Sequence, residues 1–247
     1  MPTAAALEPQ KLPDTSHVDY ARVYEPSDDT FLLVDALTAD VAALRAVRPA
    51  VCVEVGSGSG AVVTHLGRLL AASAPPPHVL ATDVNRVAAL ATAATAAAAG
   101  VAVHALHADL LRALRPGSVD VVVFNPPYVP TSAAELAGAA LSNDIALSWA
   151  GGARGRVVTD RLLNALPDAL APRALFYLLG VAENEPDEIV AWLGERGFTA
   201  TTVGERRAQN ERLFVIRFSR EAGGPQGGDA RSVPTVGTHG GAQPAET

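Results

Sequence analysis

Residues 51–60 read VCVEVGSGSG, a short apolar run that ends in a cluster of glycines. Such a run, closed by turn residues, predicts a buried strand followed by a tight turn. Glycines let the backbone turn sharply and come close to a ligand, and the helix expected at 61–72 offers free N–H groups at its start. A plain strand-to-helix turn that binds nothing is the alternative interpretation.

The spacing of these glycines distinguishes between two kinds of ligand. A dinucleotide cofactor is typically held by the pattern G-x-G-x-x-G, whereas this turn reads G-x-G-x-G and follows Glu54. An acid before the glycines suits a cationic amino group better than a pyrophosphate, since like charges repel. The turn therefore favours a ligand with a positively charged amino group.

Strands and helices alternate along most of the chain. The patterns predict a helix from Ser27 through Leu44 and helices at 61–72, 86–99, 160–170 and 186–196, with strands at 51–55, 78–83, 101–107, 119–124, 174–179, 199–203 and 213–218. This alternation predicts an α/β fold, a parallel sheet with helices on both faces. We expect the domain to occupy residues 20–220, between a flexible lead (1–19) and a disordered, Gly-rich tail (221–247).

Composition restricts the partners and the compartment. The 247-residue chain has a formal net charge of −7 and one cysteine, Cys52. The acidic balance argues against unaided binding to bulk nucleic acid, so we expect no direct DNA binding. No apolar run is long enough for a membrane span, and residues 1–16 do not resemble a signal peptide. A single cysteine builds neither an internal disulfide nor a thiolate zinc site. We therefore expect no metal in the chain and a cytoplasmic location, with the nucleus as a second compartment.

Three acids follow predicted strands. Glu54 ends the first strand, Asp83 ends the second, and Asp109 comes shortly after the third. An acid at the end of the second strand typically accepts hydrogen bonds from a ribose diol, although Asp83 could instead cap the next helix. Asp109 could likewise be a cap or a solvated loop acid. Because open α/β sheets bind ligands at the carboxyl ends of their strands, the shared position of the three acids predicts a ligand site there.

The tetrapeptide Asn125-Pro126-Pro127-Tyr128 follows the fourth predicted strand at the same sheet edge. The two prolines fix two φ angles and remove two N–H donors. The side-chain carbonyl of Asn125 and the main-chain carbonyl of Pro126 can then accept both hydrogens of a planar –NH2 group, and Tyr128 offers a ring face for stacking on it. The motif thus predicts a site that holds a weak nitrogen nucleophile for reaction. A proline-rich loop with an incidental Asn is the alternative.

Together these features resemble class I S-adenosylmethionine-dependent methyltransferases that act on an amide or exocyclic nitrogen. The resemblance is most specific for the HemK-like glutamine methyltransferases, in their short eukaryotic and archaeal branch. It is carried by VYEPSDDTF (23–31), EVGSGSG (54–60), WAGGARGR (149–156) and the segment from 160 to 178. It covers about residues 19–220 and implies a Rossmann-like class I fold with a seven-stranded, mostly parallel sheet.

The same resemblance implies a role for individual residues in binding S-adenosylmethionine. They are Thr30, Glu54 and Gly56 for the methionine part, Gly58 in the same turn, Asp83 for the ribose hydroxyls, Asp109 and Leu110 for the adenine, and Asn125 between cofactor and substrate. It also implies a small zinc-binding activator subunit, which would hold the zinc, and a class 1 translation release factor methylated on the glutamine of its Gly-Gly-Gln loop. Substrate docking would use the loops around 133–149 or the partner.

Other functions remain open at this point. A lysine substrate must first lose a proton, because its pKa is about 10.4, and the motif offers no obvious base. Adenine in DNA shares the –NH2 geometry but must be turned out of the duplex and held in a basic cleft. A nicotinamide-dependent oxidoreductase conflicts with the glycine spacing. A non-catalytic scaffold conflicts with the intact acids and the intact Asn125-Pro126-Pro127-Tyr128.

Overall fold

The computed structural model describes residues 11–142, 145–208 and 211–220. The helices are α1 (Asp28–Ala39), α2 (Val41–Ala46), α3 (Ala61–Leu70), α4 (Arg86–Ala98), α5 (Ala133–Ser142), α6 (Val157–Ala169) and α7 (Pro186–Gly194). The strands are β1 (Val51–Val55), β2 (His78–Asp83), β3 (His104–His107), β4 (Val119–Phe124), β5 (Leu170–Val181), β6 (Phe198–Ala208) and β7 (Glu211–Arg220). The tail predicted at 221–247 and the first ten residues of the predicted lead lie outside the described residues.

The described strands form one sheet of seven, in the order β3-β2-β1-β4-β5-β7-β6. Neighbours from β3 to β5 run parallel, while β7 pairs antiparallel with β5 and β6. The predicted seven-stranded, mostly parallel sheet is therefore confirmed. In the register, Val55 lies between Thr82 and Phe124. The segments that follow β1, β2 and β4 consequently leave the sheet side by side, as the sequence predicts for the ligand edge.

Helices cover both faces of the sheet, because successive side chains of a strand point to opposite sides. Phe176 of β5 packs into the same core cluster as Leu162 of α6. Its neighbour Tyr177 packs into the other cluster, with Leu33 and Leu37 of α1. Each fully buried aliphatic or aromatic side chain contributes roughly 1.5–3 kcal/mol. The two clusters thus hold the sheet rigidly between two helical layers.

The sequence predicts a single helix from Ser27 to Leu44, but the structure has two helices, α1 and α2, in this range. Ser27 is the N-cap, as expected, but the helix is divided at Asp40, whose backbone (φ −98°, ψ 14°) joins α1 to α2. The Asp40 carboxylate accepts hydrogen bonds from the Tyr177 hydroxyl at 2.7 Å and from Nη1 of Arg217 at 2.7 and 2.8 Å. These contacts with the sheet compensate for the interrupted helix, an instance of tertiary context overriding local propensity.

The third strand is shorter than predicted, and α5 was not predicted. The strand begins at His104 rather than at 101, and the register with β2 starts at Leu80. The reason lies in the end of α4, where Gly100 takes a φ of +68° and Val101 N–H donates to the Ala96 carbonyl at 2.9 Å. Val101 therefore closes the helix in a Schellman-type turn instead of joining the sheet.

Part of the predicted lead lies against α4 in this structure. Val18 is buried with Val23, Ala88 and Ala91, and the His17 ring nitrogen Nε2 lies 3.2 Å from the Thr95 hydroxyl. Within the described residues, no helix has both the length and the apolar character that a membrane span requires.

Candidate active site

A cavity of about 330 Å³ opens at the carboxyl ends of β1, β2 and β4. This volume lies at the lower end of the range typical of small-molecule sites, about 300–1,000 Å³. The predicted site residues that line it are Thr30, Glu54, Gly56, Gly58, Asp83, Asp109, Leu110, Asn125 and Pro127. The structure therefore brings these residues, which are widely separated in sequence, into one concave site. Pro126 and Tyr128 are not among the residues that line the cavity.

The glycine turn lines the site, and at one of its glycines a side chain would not fit. Gly56 N–H donates to the Thr82 carbonyl at 2.7 Å, which ties the end of β1 to β2. Gly60 has a φ of +80°, and a Cβ atom at this position would lie 2.7 Å from the Cα of Thr92 in α4. The absence of a side chain at Gly60 thus allows α3 and α4 to approach, which sets the shape of the turn.

Glu54 is buried in the cavity wall, 2% exposed. One carboxylate oxygen accepts a hydrogen bond from Val63 N–H, in the first turn of α3, at 2.7 Å. Burial, and to a lesser degree the charge of Asp83, raise the pKa of Glu54 well above its usual range. A cation in the cavity would favour the charged form and offset the cost of burying it. The site therefore suits a positively charged ligand.

Asp83 lies at the end of β2 and is held by two backbone donors. Its carboxylate accepts from Gly58 N–H at 3.0 Å and from Asn85 N–H at 2.8 Å. Burial raises the pKa of Asp83, and these hydrogen bonds act in the opposite direction. The N-cap of α4 is Asn85, whose side chain accepts from Val87 N–H at 2.9 Å. Helix capping is therefore not the role of Asp83, and its position in the cavity needs another explanation.

Asp109 and Leu110 line the cavity from the segment that follows β3. The Asp109 carboxylate forms an ion pair with Arg161 of α6 at 2.6 Å, and Arg112 lies at 3.5 Å. Leu110 has a φ of +52°, which is uncommon for a residue other than glycine. The ion pair anchors this segment to α6, and Leu110 supplies an apolar patch to the lining.

Asn125 presents an unsatisfied acceptor. Its side-chain Nδ2 donates to the Asp29 carboxylate at 3.0 Å. Its Oδ1 is buried and has no hydrogen-bond partner among the described residues. Buried polar atoms are nearly always paired, so an unpaired one in a cavity-lining side chain indicates a missing ligand group. An incoming N–H donor would satisfy it.

Tyr128 contacts the core beside the cavity. Its ring packs against the cluster that includes Leu33 and Tyr177. Burial and the charges of Asp29 and Glu211 raise the pKa of Tyr128. The hydroxyl therefore stays neutral at physiological pH. The stacking of this ring on a substrate group stays a prediction.

The segment that follows Asn125-Pro126-Pro127-Tyr128 is clamped by the glycine-rich run at 149–156. Val129 N–H donates to the Trp149 carbonyl at 3.0 Å, and Gly151 N–H donates to the Val129 carbonyl at 2.8 Å. A Cβ atom on Gly155 would lie 1.8 Å from the carbonyl oxygen of Tyr128. The run is therefore a packing surface for the tetrapeptide, which explains its glycines physically.

Asn184 supports the same loop from the short helical turn that follows β5. Its Nδ2 donates to the carbonyls of Tyr128 at 2.8 Å and Arg154 at 2.9 Å, and its Oδ1 accepts from Val181 N–H at 2.8 Å. It is 4% exposed. Sequence reasoning did not identify Asn184, because a lone Asn near a strand end carries no motif.

Asp29, Tyr24 and Arg161 were also missed, although all three line the cavity. A signal for Asp29 existed in the pair Asp28-Asp29 at the start of α1. Both acids suit a helix N-terminus, but Asp28 is exposed whereas Asp29 is only 3% exposed. A buried acid needs specific partners, and Asp29 has them in the side chain of Asn125 and in the N–H and hydroxyl groups of Thr30.

The side chains that line the cavity fit S-adenosylmethionine, the cofactor that the sequence resemblance implies. S-adenosylmethionine carries sulfonium and ammonium cations and a ribose diol. The buried Glu54 would complement a cation, and Asp83 would accept hydrogen bonds from the diol, as the resemblance implies. Among the described residues no group of three or more His, Cys, Asp or Glu is arranged to hold a metal ion. The sheet order, the glycine turn and the acidic cavity at its carboxyl edge define a class I S-adenosylmethionine-dependent methyltransferase.

Comparison with known proteins narrows this class. Residues 28–144 match the family model of the methyltransferase small domain. The chain is 42% identical over 204 residues to methyltransferase HEMK2 of Homo sapiens, covering 81% of this chain and 91% of that protein. It is 34% identical over 212 residues to the eRF1 methyltransferase catalytic subunit mtq2 of Schizosaccharomyces pombe, covering 82% and 91%. The chain belongs to the HemK-like methyltransferase family.

A solved structure agrees with this assignment. The E. cuniculi Mtq2–Trm112 complex, described as responsible for methylation of the eRF1 translation termination factor, matches with a TM-score of 0.57 and 30% identity. The match covers 81% of this chain and 99% of that chain. The similarity thus extends over nearly the whole of the related subunit.

Proposed function

We propose that this chain is the catalytic subunit of a protein-glutamine methyltransferase that modifies the Gly-Gly-Gln loop of a class 1 translation release factor. The observation that carries the proposal is the unpaired Oδ1 of Asn125 in the cavity wall. A primary amide has two N–H donors and is neutral, so it can approach this acceptor without losing a proton first. The relatives named for eRF1 methylation support the choice of a release factor.

The residues of the site would act by positioning. Thr30, Glu54, Gly56, Gly58, Asp83, Asp109, Leu110 and Asn125 would hold S-adenosylmethionine, which supplies an electrophilic methyl group when bound. Asn125 Oδ1, in the cavity wall, would accept one hydrogen of the substrate amide. The carbonyl of the next residue, Pro126, does not line the cavity in this structure, and the substrate would have to reach it to place the second hydrogen and fix the amide plane. Alignment of the reacting atoms at about 3–3.5 Å is the main contribution to rate in such a site.

The direction of the proton transfer also follows from this arrangement. The amide nitrogen forms its new bond to carbon with its lone pair, and the methyl–sulfur bond breaks. The product nitrogen is then cationic and loses a proton readily to water. Asn125 and Pro126 would therefore act as hydrogen-bond acceptors and not as bases, which distinguishes this reaction from lysine methylation.

We further propose that the active form is a heterodimer with a small zinc-binding activator, in which the zinc belongs to the partner. The Mtq2–Trm112 complex supports this proposal, since that relative is a two-chain assembly. Residues Ile145, Leu147 and Ser148 line the cavity and would meet the substrate loop at its entrance. A release-factor substrate would place the activity in the cytoplasm.

Mass spectrometry of a class 1 release factor tests the function directly. The factor is incubated with S-adenosylmethionine and the chain, with and without its activator. We expect one added methyl on the glutamine of the Gly-Gly-Gln loop, and none when that glutamine is replaced by glutamate. With the activator present, methylation of a lysine or of an adenine-containing oligonucleotide in place of this glutamine would refute the proposal. The absence of any methylation would refute it as well.

Two controls examine the site. Asn125→Ala should keep most of its affinity for S-adenosylhomocysteine but lose methyl transfer, and normal turnover by this variant would refute the mechanism. In thermal unfolding, S-adenosylhomocysteine should stabilise the wild-type chain and NAD should not, because a ligand stabilises only the state that binds it.

A further inference from the structure

Asp29 lines the cavity together with Asn125, and both carboxylate oxygens of Asp29 accept hydrogen bonds. Oδ2 accepts from Asn125 Nδ2 at 3.0 Å. Oδ1 accepts from Thr30 N–H at 2.6 Å and from the Thr30 hydroxyl at 3.2 Å. Asp29 is 3% exposed, so water does not compete for these contacts.

An Asn side chain has two similar ends, and only one can be an acceptor. The Asn125 –NH2 group donates to the Asp29 carboxylate at 3.0 Å, in keeping with the acceptor character of carboxylate oxygens. The Oδ1 atom of Asn125 is then the one left without a partner. Donation to a carboxylate also polarises the Asn125 amide and makes its oxygen a stronger acceptor.

We propose that Asp29 is a positioning residue that fixes the side-chain amide of Asn125 with its oxygen as the acceptor for the substrate –NH2 group. This inference rests on the proposed amide substrate, since only a donor from the substrate requires an acceptor at Asn125. The effect passes through one direct hydrogen bond, by which the Asp29 carboxylate orients the Asn125 amide, although the two residues are 96 positions apart in sequence. Without Asp29, the two amide orientations would be nearly equal in energy.

The substitution Asp29→Asn tests this device with almost no change in shape. The backbone N–H of Thr30 cannot become an acceptor, so it will hold the oxygen of the introduced amide in the place of Oδ1. The introduced –NH2 group then occupies the place of Oδ2 and points a donor at Asn125. To avoid two opposed donors, Asn125 must rotate by half a turn. Its own –NH2 group then replaces the acceptor that the substrate needs.

The reciprocal exchange should restore the acceptor. In Asp29→Asn combined with Asn125→Asp, the carboxylate at position 125 accepts from the amide at position 29 through one oxygen and keeps the other for the substrate. Asn125→Asp alone places two carboxylates at the distance now spanned by the hydrogen bond, and their repulsion would raise a pKa. That single variant should therefore show a pH profile different from the wild type.

The experiment compares these variants as complexes with the activator, with a release factor as substrate. We expect Asp29→Asn to lower kcat about 100-fold, the effect of losing one well-placed polar contact in a catalytic site. Affinity for S-adenosylhomocysteine, measured by calorimetry, should change less than the rate, and the double exchange should regain at least about tenfold of the lost activity. The matched control is Asp28→Asn, an exposed acid in the same turn, which should leave kcat unchanged.

Turnover of Asp29→Asn near the wild-type rate, or a double exchange no better than Asp29→Asn, would overturn the inference. If the wild-type complex does not methylate the release factor, the proposed function fails and a second readout decides the role of Asp29. The side-chain –NH2 resonances of Asn125, assigned by their loss in Asn125→Ala, should shift in Asp29→Asn and not in Asp28→Asn. Unshifted resonances would show that Asp29 does not orient Asn125.

Discussion

The substitution Asn184→Asp should destabilise the loop that carries Asn125, because it removes two hydrogen-bond donors without changing volume. The native Nδ2 supplies both the Tyr128 carbonyl, at 2.8 Å, and the Arg154 carbonyl, at 2.9 Å. In the variant an oxygen faces both carbonyls. The remaining oxygen can still accept from Val181 N–H. The substitution thus isolates the two donations from the rest of the contact.

The magnitude follows from the burial of Asn184, which is 4% exposed. A buried carbonyl that loses its donor costs about 1–3 kcal/mol, so two should lower the free energy of unfolding by about 2–6 kcal/mol. For a domain of this size, each kcal/mol corresponds to about 2–4 °C of melting temperature, which gives a decrease of about 4–24 °C.

The effect should depend on pH with a defined sign. A carboxyl group buried against two carbonyls has a raised pKa in the folded state, because its neutral form can donate one hydrogen bond. Its contribution to stability is complete below the unfolded pKa of about 3.9, and it is lost as the pH rises through the raised folded value. The deficit of Asn184→Asp should therefore be larger at pH 8 than at pH 5.

Urea unfolding at both pH values measures this prediction. Asn85→Asp is the matched control. Asn85 Oδ1 accepts from Val87 N–H at 2.9 Å, a role that Asp fills equally well. Asn85 Nδ2 also donates to the Arg22 carbonyl at 2.8 Å, but this contact is exposed, so water can replace the lost donor. The control should stay within about 0.5 kcal/mol of the wild type. Equal unfolding free energies for Asn184→Asp and the wild type at pH 8 would refute the role assigned to Asn184.

Three further predictions concern the cavity. Burial raises the pKa of Glu54, so the contribution of this group to the stability of the free protein should be complete below about pH 4.3 and be lost as the pH rises through the folded pKa. Glu54→Gln should therefore flatten the dependence of the melting temperature on pH between pH 5 and 9 and weaken S-adenosylhomocysteine binding, and an unchanged pH dependence would contradict this prediction. Gly60→Ala places a Cβ 2.7 Å from the Cα of Thr92 and should lower the free energy of urea unfolding by more than about 2 kcal/mol. The control Gly117→Ala has a similar φ of +69° but open space around it and should lower it by about 1 kcal/mol; equal losses of stability would show that the contact with α4 is unimportant. Asp83→Ala removes the acceptor for the N–H groups of Gly58 and Asn85 and should weaken S-adenosylhomocysteine binding by at least about tenfold in calorimetry; unchanged affinity would remove Asp83 from the cofactor site.

Much of the fold and part of the site follow from local sequence patterns. Apolar runs that end at glycines, acids or prolines place seven strands and the turns between them, because burial of alternate or continuous apolar residues depends on near neighbours in sequence. The convergence of Glu54, Asp83 and Asn125 follows from a general rule, since parallel strands bring their carboxyl ends to one edge. These predictions need no knowledge of particular side-chain contacts.

Other features depend on pairs of residues that only the folded chain brings together. The break at Asp40 exists because Tyr177 and Arg217, more than 130 positions later, bind its carboxylate. Asp29 and Asn125 meet across 96 positions, and Asn184 reaches Tyr128 across 56. Hydrogen bonds of this kind are directional and act only at about 3 Å, so no spacing in the sequence encodes them.

The tetrapeptide Asn125-Pro126-Pro127-Tyr128 shows which properties of the site the sequence determines and which ones the tertiary structure decides. Sequence alone determines that an amide and two prolines follow a buried strand at the ligand edge, and hence that a planar –NH2 group can be held there. Tertiary structure decides which end of the Asn125 amide is available, because the choice depends on the buried carboxylate of Asp29. Local patterns specify the chemical groups of the site, and long-range packing specifies their orientation.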